Sequence, residues 1–467
     1  MAIYRGIGTT HGERRLAAML ENSFLDYWTV ANPIKKIGSQ KTELCDALVV
    51  CGDFLLIFQH KQIKLDLGDE PSVEWEKWFR KSCVAAEKQL MGAKKAICNP
   101  NTEFFLDPKC EHRFHLKVPN WDSKRCFLIA ALGDNVEAAQ NFFGADETTF
   151  AVCSQVPKYG EKGFDLTADV AFLPQGGDGN EFVHNFEDRS LALLLQELDT
   201  VADFCAYLHK REEFFRRHKN IVATSEDELL WLYSSQLNEQ GDHDFVLPKS
   251  YKNGDSVYLD SGSWNDFTET AFWKRKKQAD SVSYFWDRLI KQFAKNKLSG
   301  AGLHWSPAGK ELHEGGIRYL ALESRLIRRY LSNRLVKAFD QCPAGAMNRT
   351  LILSTGSPHS SNATYVILQL PVPLSVEYER YRILRRQLLV EHIWAAKIRC
   401  PSAGIIVGIA FEPPKYWDTG MKSEDMLLFE NDYWTEENLS IASASAEETG
   451  YFSKAAMTEV KEREFPN

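Results

Sequence analysis

Three residues carry the first chemical signal in the chain: Asp46, Gln59 and Lys61. They lie in TELCDALVVCGDFLLIFQHK, residues 42–61, where two apolar, β-branched-rich runs flank Gly52-Asp53. That pattern predicts a β-hairpin closed by a two-residue turn. With such a turn Asp46 sits opposite Gln59. Gln59 and Lys61 then point the same way, because side chains alternate along a strand. An acid, an amide and a lysine thus converge at the open end of an otherwise apolar hairpin. Burying such groups is costly unless they find partners, and a metal ion and a phosphate would be suitable ones.

An acid on one strand, then (Asp/Glu)-x-Lys on the next, is the signature of the PD-(D/E)xK nuclease superfamily, the restriction-endonuclease-like fold. Asp46 followed by Gln59-His60-Lys61 resembles the Gln-x-Lys variant of Mrr-type restriction endonucleases. The resemblance covers roughly the first 130 residues, on a short motif. Gln59 departs from the commoner acid and offers a metal a carbonyl oxygen without charge. Glu43, three residues before Asp46, could supply a carboxylate, but its parity puts it on the other face unless the strand begins with a bulge.

The resemblance implies a metal-dependent nuclease hydrolysing phosphodiester bonds with Mg2+ or Mn2+. It makes Asp46 the direct metal ligand, with Glu13 acting through water and Gln59 giving its side-chain oxygen. The backbone carbonyl of His60 would add a further ligand, and Lys61 would sit beside the scissile phosphate. DNA is the implied partner ahead of RNA, and bacterial antiviral defence is the implied setting. Two other readings stand beside it. One is a non-catalytic nucleic-acid- or protein-binding module on a degenerate nuclease fold. The other is a nuclease subunit that needs a partner protein. A homodimer would suit the cutting of both strands, though no interface is legible.

The elements that must position these residues follow the same order. Residues 10–25 read as a helix with Leu16, Ala17, Leu20 and Phe24 on one stripe. Glu13 extends that stripe by one turn, toward the site. Thr10-x-x-Glu13 is equally a capping box, in which Glu13 bonds the backbone of the cap. Glu21 is the alternative acid, expected to face solvent. A strand is expected over 27–30, a turn-rich basic connection over 32–40, a long helix over 74–97 and a buried strand over 126–132 or, less convincingly, 113–118. Edge strands are expected near 150–154 and 169–172, a flexible loop over 174–180, and a helical pair over 188–197 and 199–217. The same hairpin could also be the core of an unrelated α/β domain.

The fold class expected is α/β of mixed α+β type. A restriction-endonuclease-like domain would occupy 1–220, a mainly helical middle domain 221–345, and a smaller C-terminal α/β domain 346–467. In the middle, Ser225-x-x-Glu228 reads as a second capping box, and helices are expected over 283–295 and 318–339, separated by Gly- and Ser-rich loops over 253–263 and 298–316. Arg325, Arg328 and Arg329 share one helix face and could track a phosphate backbone; a solvated face is the commoner explanation of such a stripe. The C-terminal part reads strand, strand, helix, strand, over 350–354, 365–370, 376–398 and 404–411, with an acidic, poorly periodic tail from about residue 436. Its order echoes the N-terminal one without the acid and the lysine.

Composition excludes several classes. The net charge of −8 argues against a generic nucleic-acid coat, while leaving room for a site with local positive charge. No apolar run reaches about 18 residues, and the first fifteen residues lack the apolar centre of a secretory signal, so a cytoplasmic protein without membrane contact is expected. Ten scattered cysteines read as reduced core residues. Cys110, His112 and His115, with Cys98 upstream, match no strong zinc spacing. His60 points away from Lys61 by parity and reads as packed or exposed. Residues 241–244 (GDHD) read as a solvated turn. Neither a Walker-type phosphate loop nor a Gly-x-Ser-x-Gly elbow is present.

Overall fold

The computed structural model describes residues 6, 8–66, 70–116, 118, 125–133, 151–153, 172–174, 181–218, 220–252, 255–299, 303–307, 315–340, 349–354, 361–372, 375–412, 423–454, 460 and 462–466. Residues 169–171 and 175–180, where an edge strand and a loop were expected, lie outside that set. The chain is mixed α and β and divides into two compact units, between Lys274 and Arg275. That division stands where boundaries near 220 and 345 were expected. Strand pairing explains the first difference: Ile221–Ala223 pairs with Ala151–Cys153, so chain beyond 220 is tied back into the first unit.

The first unit begins with α1 (His11–Phe24). Its buried face is Leu16, Ala17, Leu20 and Phe24, the expected stripe. The two leucines and the phenylalanine each contribute about 1.5–3 kcal/mol when fully buried. Then follow β1 (Thr29–Ala31), β2 (Ile34–Ile37), β3 (Gln40–Glu43), β4 (Ala47–Cys51) and β5 (Phe54–Gln62). The basic connection over 32–40 is therefore not a plain turn. It holds β2, which pairs with β3 and with β6 (Glu103–Phe105) in a separate small sheet. The long helical stretch runs from Pro71 to Ile97 as α2 (Pro71–Phe79), a π-helical turn (Arg80–Val84) and α3 (Ala85–Ile97).

After β6 come β7 (Cys126–Gly133), β8 (Ala151–Cys153), β9 (Phe172–Pro174) and β10 (Val183–Glu187). The alternative strand over 113–118 amounts to an isolated bridge from Arg113 to Phe105. The central sheet has five strands in the order β1-β4-β5-β7-β10. β4 runs antiparallel to both β1 and β5; β7 runs parallel to β5, and β10 parallel to β7. β4 and β5 are buried almost throughout, as their apolar runs require. α1 packs on β1, β4 and β5, and α3 on β5 and β7. The helical pair is α4 (Asp188–Glu197) and α5 (Val201–Arg217). β11 (Ile221–Ala223), α6 (Glu226–Ser234), β12 (Val257–Leu259) and α7 (Ser263–Glu269) complete the unit. Ser225 precedes α6 without a side-chain cap bond; Glu228 instead accepts the Gly262 N–H at 2.9 Å.

Beyond α8 (Ala271–Asp280), the second unit holds α9 (Tyr284–Ser299), β13 (Leu303–Trp305), α10 (Gly315–Ala321), α11 (Arg325–Asp340), β14 (Arg349–Ser354), β15 (Ala363–Gln369), α12 (Tyr378–Arg399), β16 (Ile405–Phe411), β17 (Glu424–Phe429) and α13 (Glu436–Thr449). One helix expected over 318–339 is two, broken before Arg325. The sheet order is β13-β17-β16-β15-β14. β14 and β15 are antiparallel, and β16 returns parallel to β15 after α12. This hairpin, helix and parallel strand repeat the connectivity of β4, β5, α2–α3 and β7. Gly408 lets α12 lie close to β16, since a Cβ there would meet Ile393 Cδ1 at 2.4 Å. Within the poorly periodic tail, Glu436–Thr449 is helical: Thr435 caps α13, Ala442 is buried, and Gly450 ends it at φ +64°.

Candidate functional site

β4 and β5 meet as expected from the turn outward, Cys51 opposite Phe54 and Ala47 opposite Phe58. Gly52 takes φ +61°, a value the turn needs and glycine supplies freely. At the open end the pairing changes. The N–H of Asp46 bonds the carbonyl of Phe58 at 3.2 Å, although Phe58 already faces Ala47. Two residues thus oppose one, which is the arrangement of a β-bulge. The bulge turns the Asp46 carboxylate onto β5, where Oδ2 accepts the His60 backbone N–H at 2.6 Å and the Gln59 side-chain amide. The expected juxtaposition of Asp46 with Gln59 is present, and both are buried.

Glu13 and Glu43 approach Asp46 through a residue that spacing alone did not single out, Asn32. Its backbone N–H bonds the Asp46 carbonyl at 2.9 Å. Its side-chain Nδ2 donates to Glu13 Oε2 at 3.0 Å and to Glu43 Oε1 at 2.9 Å. Asn32 holds φ +47°, a left-handed conformation that asparagine tolerates better than most residues. The Asn-Pro pair at 32–33 was the available signal. Its Oδ1 is buried and has no hydrogen-bond partner among the described residues.

Glu13 is the capping-box acid and also accepts from Asn32. It closes the capping box, with the Glu13 N–H bonding Thr10 Oγ1 at 3.2 Å, and its Oε2 also accepts from Thr9 N at 2.8 Å. Burial alone would raise its pKa, but hydrogen bonds from Thr9, Asn32 and Thr10 outweigh that and hold it at about 2. Asp46 goes the other way. Burial is the largest cause; the His60 and Gln59 hydrogen bonds oppose it, and the charges of Glu13 and Glu43 add to it, leaving the pKa at about 6. Lys61 is half-buried two residues beyond Gln59 and has no hydrogen bond or ion pair among the described residues.

The donors gathered here are carboxylate and amide oxygens, the hard set that Mg2+ and Mn2+ prefer. A carboxylate whose charge is disfavoured by burial, and further by two neighbouring carboxylates, is one that a divalent cation would stabilise. By the chemistry of the donors they suit such an ion, while the ligand atoms of Asp46, Glu13 and Glu43 do not all lie within 4.8 Å of one another. Among the described residues, the trio whose ligand atoms lie within 4.8 Å of one another is elsewhere: Asp107, Glu111 and His112. Asp107 is already occupied there, accepting from Lys109, Glu111 and His112 N–H groups. The cysteine–histidine set near it does not assemble: His115 Nε2 pairs with the Tyr27 carbonyl at 2.9 Å, and none of the described cysteines is in a disulfide.

The arginine face of α11 is not an exposed phosphate track. Arg325, Arg328 and Arg329 are all buried. Arg325 and Arg328 both bond Asp287, at 2.9 and 2.6 Å, and Arg329 bonds Asp280 at 2.8 Å and Glu462 at 3.1 Å. Spacing placed them on one face correctly; that face turns inward because acids on α8, α9 and the C-terminal segment neutralise it. No helix among the described residues is long and apolar enough to cross a membrane. No family model, curated protein or solved structure matches the chain.

Proposed function

We propose that the first unit is a metal-dependent nuclease acting on phosphodiester bonds, with DNA ahead of RNA as substrate. The observation that carries this is the bulged end of β4–β5. It joins Asp46 to Gln59 two residues before Lys61, with Glu13 from α1 bordering the same place through Asn32. The order of elements supports the reading: a helix, a hairpin, helices and then a strand is the order expected from the sequence resemblance.

Asp46 would hold Mg2+ or Mn2+ directly, Glu13 through water, and Gln59 by its side-chain oxygen. The ion supplies an activated water and relief of charge on the phosphate. Lys61, without an acidic partner among the described residues, is available to stabilise charge as it develops on the phosphate. Arg325, Arg328 and Arg329 take no part, being held inside the second unit.

The test is cleavage of plasmid and single-stranded DNA by the purified chain with Mg2+ or Mn2+, beside Lys61→Ala and Asp46→Ala. Loss of cleavage in both variants and in chelator is the expected result; full activity in either variant overturns the assignment. A second reading has its own observation. The Gln59 amide donates to an Asp46 oxygen that a metal would use, as in a nuclease fold turned to binding without cutting. Wild-type protein that binds DNA and cuts none, with either metal, would favour it.

A further inference from the structure

The imidazole of His60 lies on the face of β5 away from Lys61, where it reads as packing. Its surroundings are more specific than packing requires. The side chain is 3% exposed, and Nε2 lies 3.3 Å from both carboxylate oxygens of Asp188, the first residue of α4. Two glycines make room for it. A Cβ on Gly12 of α1 would come within 2.0 Å of His60 Cε1. A Cβ on Gly133, at the end of β7, would lie 2.9 Å from Asp188 Oδ2 and 3.3 Å from His60 Nε2. Neither position takes φ in the left-handed range, so what glycine provides at both is space.

The consequence is felt at Asp46. The backbone N–H of His60 is one of the two donors that hold Asp46 Oδ2. That N–H is available because the bulge leaves β5 unpaired with β4 at this point, so nothing in the ladder fixes the backbone at residue 60 from that side. On its other edge β5 is held by the parallel ladder to β7, with His60 opposite Ala131. On the β4 side the ring adds a further anchor, for α1, β7 and α4 each contribute one group to its seat, Gly12, Gly133 and Asp188.

We infer that His60 and Asp188 form a positioning pair for Asp46, holding the β5 backbone so that the carboxylate keeps the orientation in which it takes a divalent cation. Neither side chain touches the substrate or the metal; His60 acts on Asp46 through its backbone N–H. The inference rests on the proposed metal site and extends it to a residue on the opposite sheet face. Partners one step removed from a metal ligand commonly carry 10- to 100-fold in affinity.

The experiment is calorimetric titration of the full chain with Mn2+, with a thermal melt of each variant alongside. Wild type is expected to bind, and Asp46→Ala to lose the binding. His60→Phe keeps ring volume and loses the bond to Asp188; it is expected to weaken Mn2+ by about 10- to 100-fold. His60→Gln, which keeps a donor near the Nε2 position, restores most of the affinity. Asp188→Asn gives the same loss as His60→Phe and serves if that variant does not fold. A purely structural role would lower the melting temperature and leave Mn2+ affinity of the folded protein unchanged. Unchanged affinity in folded His60→Phe and Asp188→Asn, with Asp46-dependent binding in wild type, overturns the inference and leaves the site standing. Absence of Asp46-dependent binding in wild type overturns the site, and the inference falls with it.

Discussion

Replacing Asp46 by Asn should make the metal-free protein more stable at neutral pH while removing the proposed activity. Asp46 is buried, and its pKa stands near 6 against an ordinary 3.8. A carboxyl with a raised folded pKa binds its proton more tightly in the folded chain. The stability it contributes is full below about pH 3.8 and is lost as pH rises to about 6. The shift of roughly two pH units corresponds to about 3 kcal/mol lost at neutral pH. Asn cannot ionise, and its Oδ1 can accept from both Gln59 and the His60 N–H. Asp46→Asn should therefore match wild type near pH 4 and exceed it by up to about 3 kcal/mol at neutral pH. Urea unfolding at a series of pH values, without metal, measures this. Adding Mn2+ should then stabilise wild type and not the variant, so the order narrows or reverses. A variant less stable than wild type by the same amount at every pH would refute the reasoning: Asp46 would then be a structural hydrogen-bond acceptor, not a strained acid awaiting a cation.

Gln59→Glu adds a carboxylate directly against Asp46; metal-free stability at neutral pH should fall and Mn2+ affinity should rise, by urea unfolding and calorimetry. Glu323 is fully buried and accepts from Tyr365 and Ser361, and burial, the largest cause, pushes its pKa up to about 7. Glu323→Gln should leave stability unchanged near pH 4 and gain up to about 3 kcal/mol above pH 7, because the wild-type loss runs from about 4.5 to 7. Arg329→Met breaks the buried pairs with Asp280 and Glu462, so it should cost about 3–5 kcal/mol in urea unfolding and leave the salt dependence of DNA binding unchanged.

The parts of the fold that periodicity controls were legible. The α1 stripe, the β4–β5 register and the buried β7 run each follow from apolar residues repeating at one spacing, and the structure keeps all three. Parts set by a single residue's conformation were not. The bulge at Asp46 leaves no mark in the apolar alternation, because the strand on either side of it still reads as extended chain. Asn32 is the same kind of case: its left-handed backbone lets one side-chain amide reach Glu13 on α1 and Glu43 on β3, elements far apart in any pattern. Parity puts Glu43 on the other face unless the strand begins with a bulge; the bulge is present at Asp46, and Glu43 on β3 reaches the Asn32 side chain.

The arginines of α11 mark a different limit. A cationic stripe at helical spacing says that one face is charged, and says nothing about whether acids come from elsewhere to meet it. Here they come from Asp280, Asp287 and Glu462, the last more than a hundred residues further along the chain. Charge on a helix becomes a binding surface only where the rest of the fold fails to neutralise it. That same criterion separates Lys61 from Arg329. Both are cations at positions a phosphate could use, but Arg329 is fully buried between acids, whereas Lys61 is half-buried at the end of β5 without an acidic partner among the described residues. The desolvation that Arg329 has already undergone is compensated by its pairs, so it gains little from a phosphate, while Lys61 gains the whole interaction.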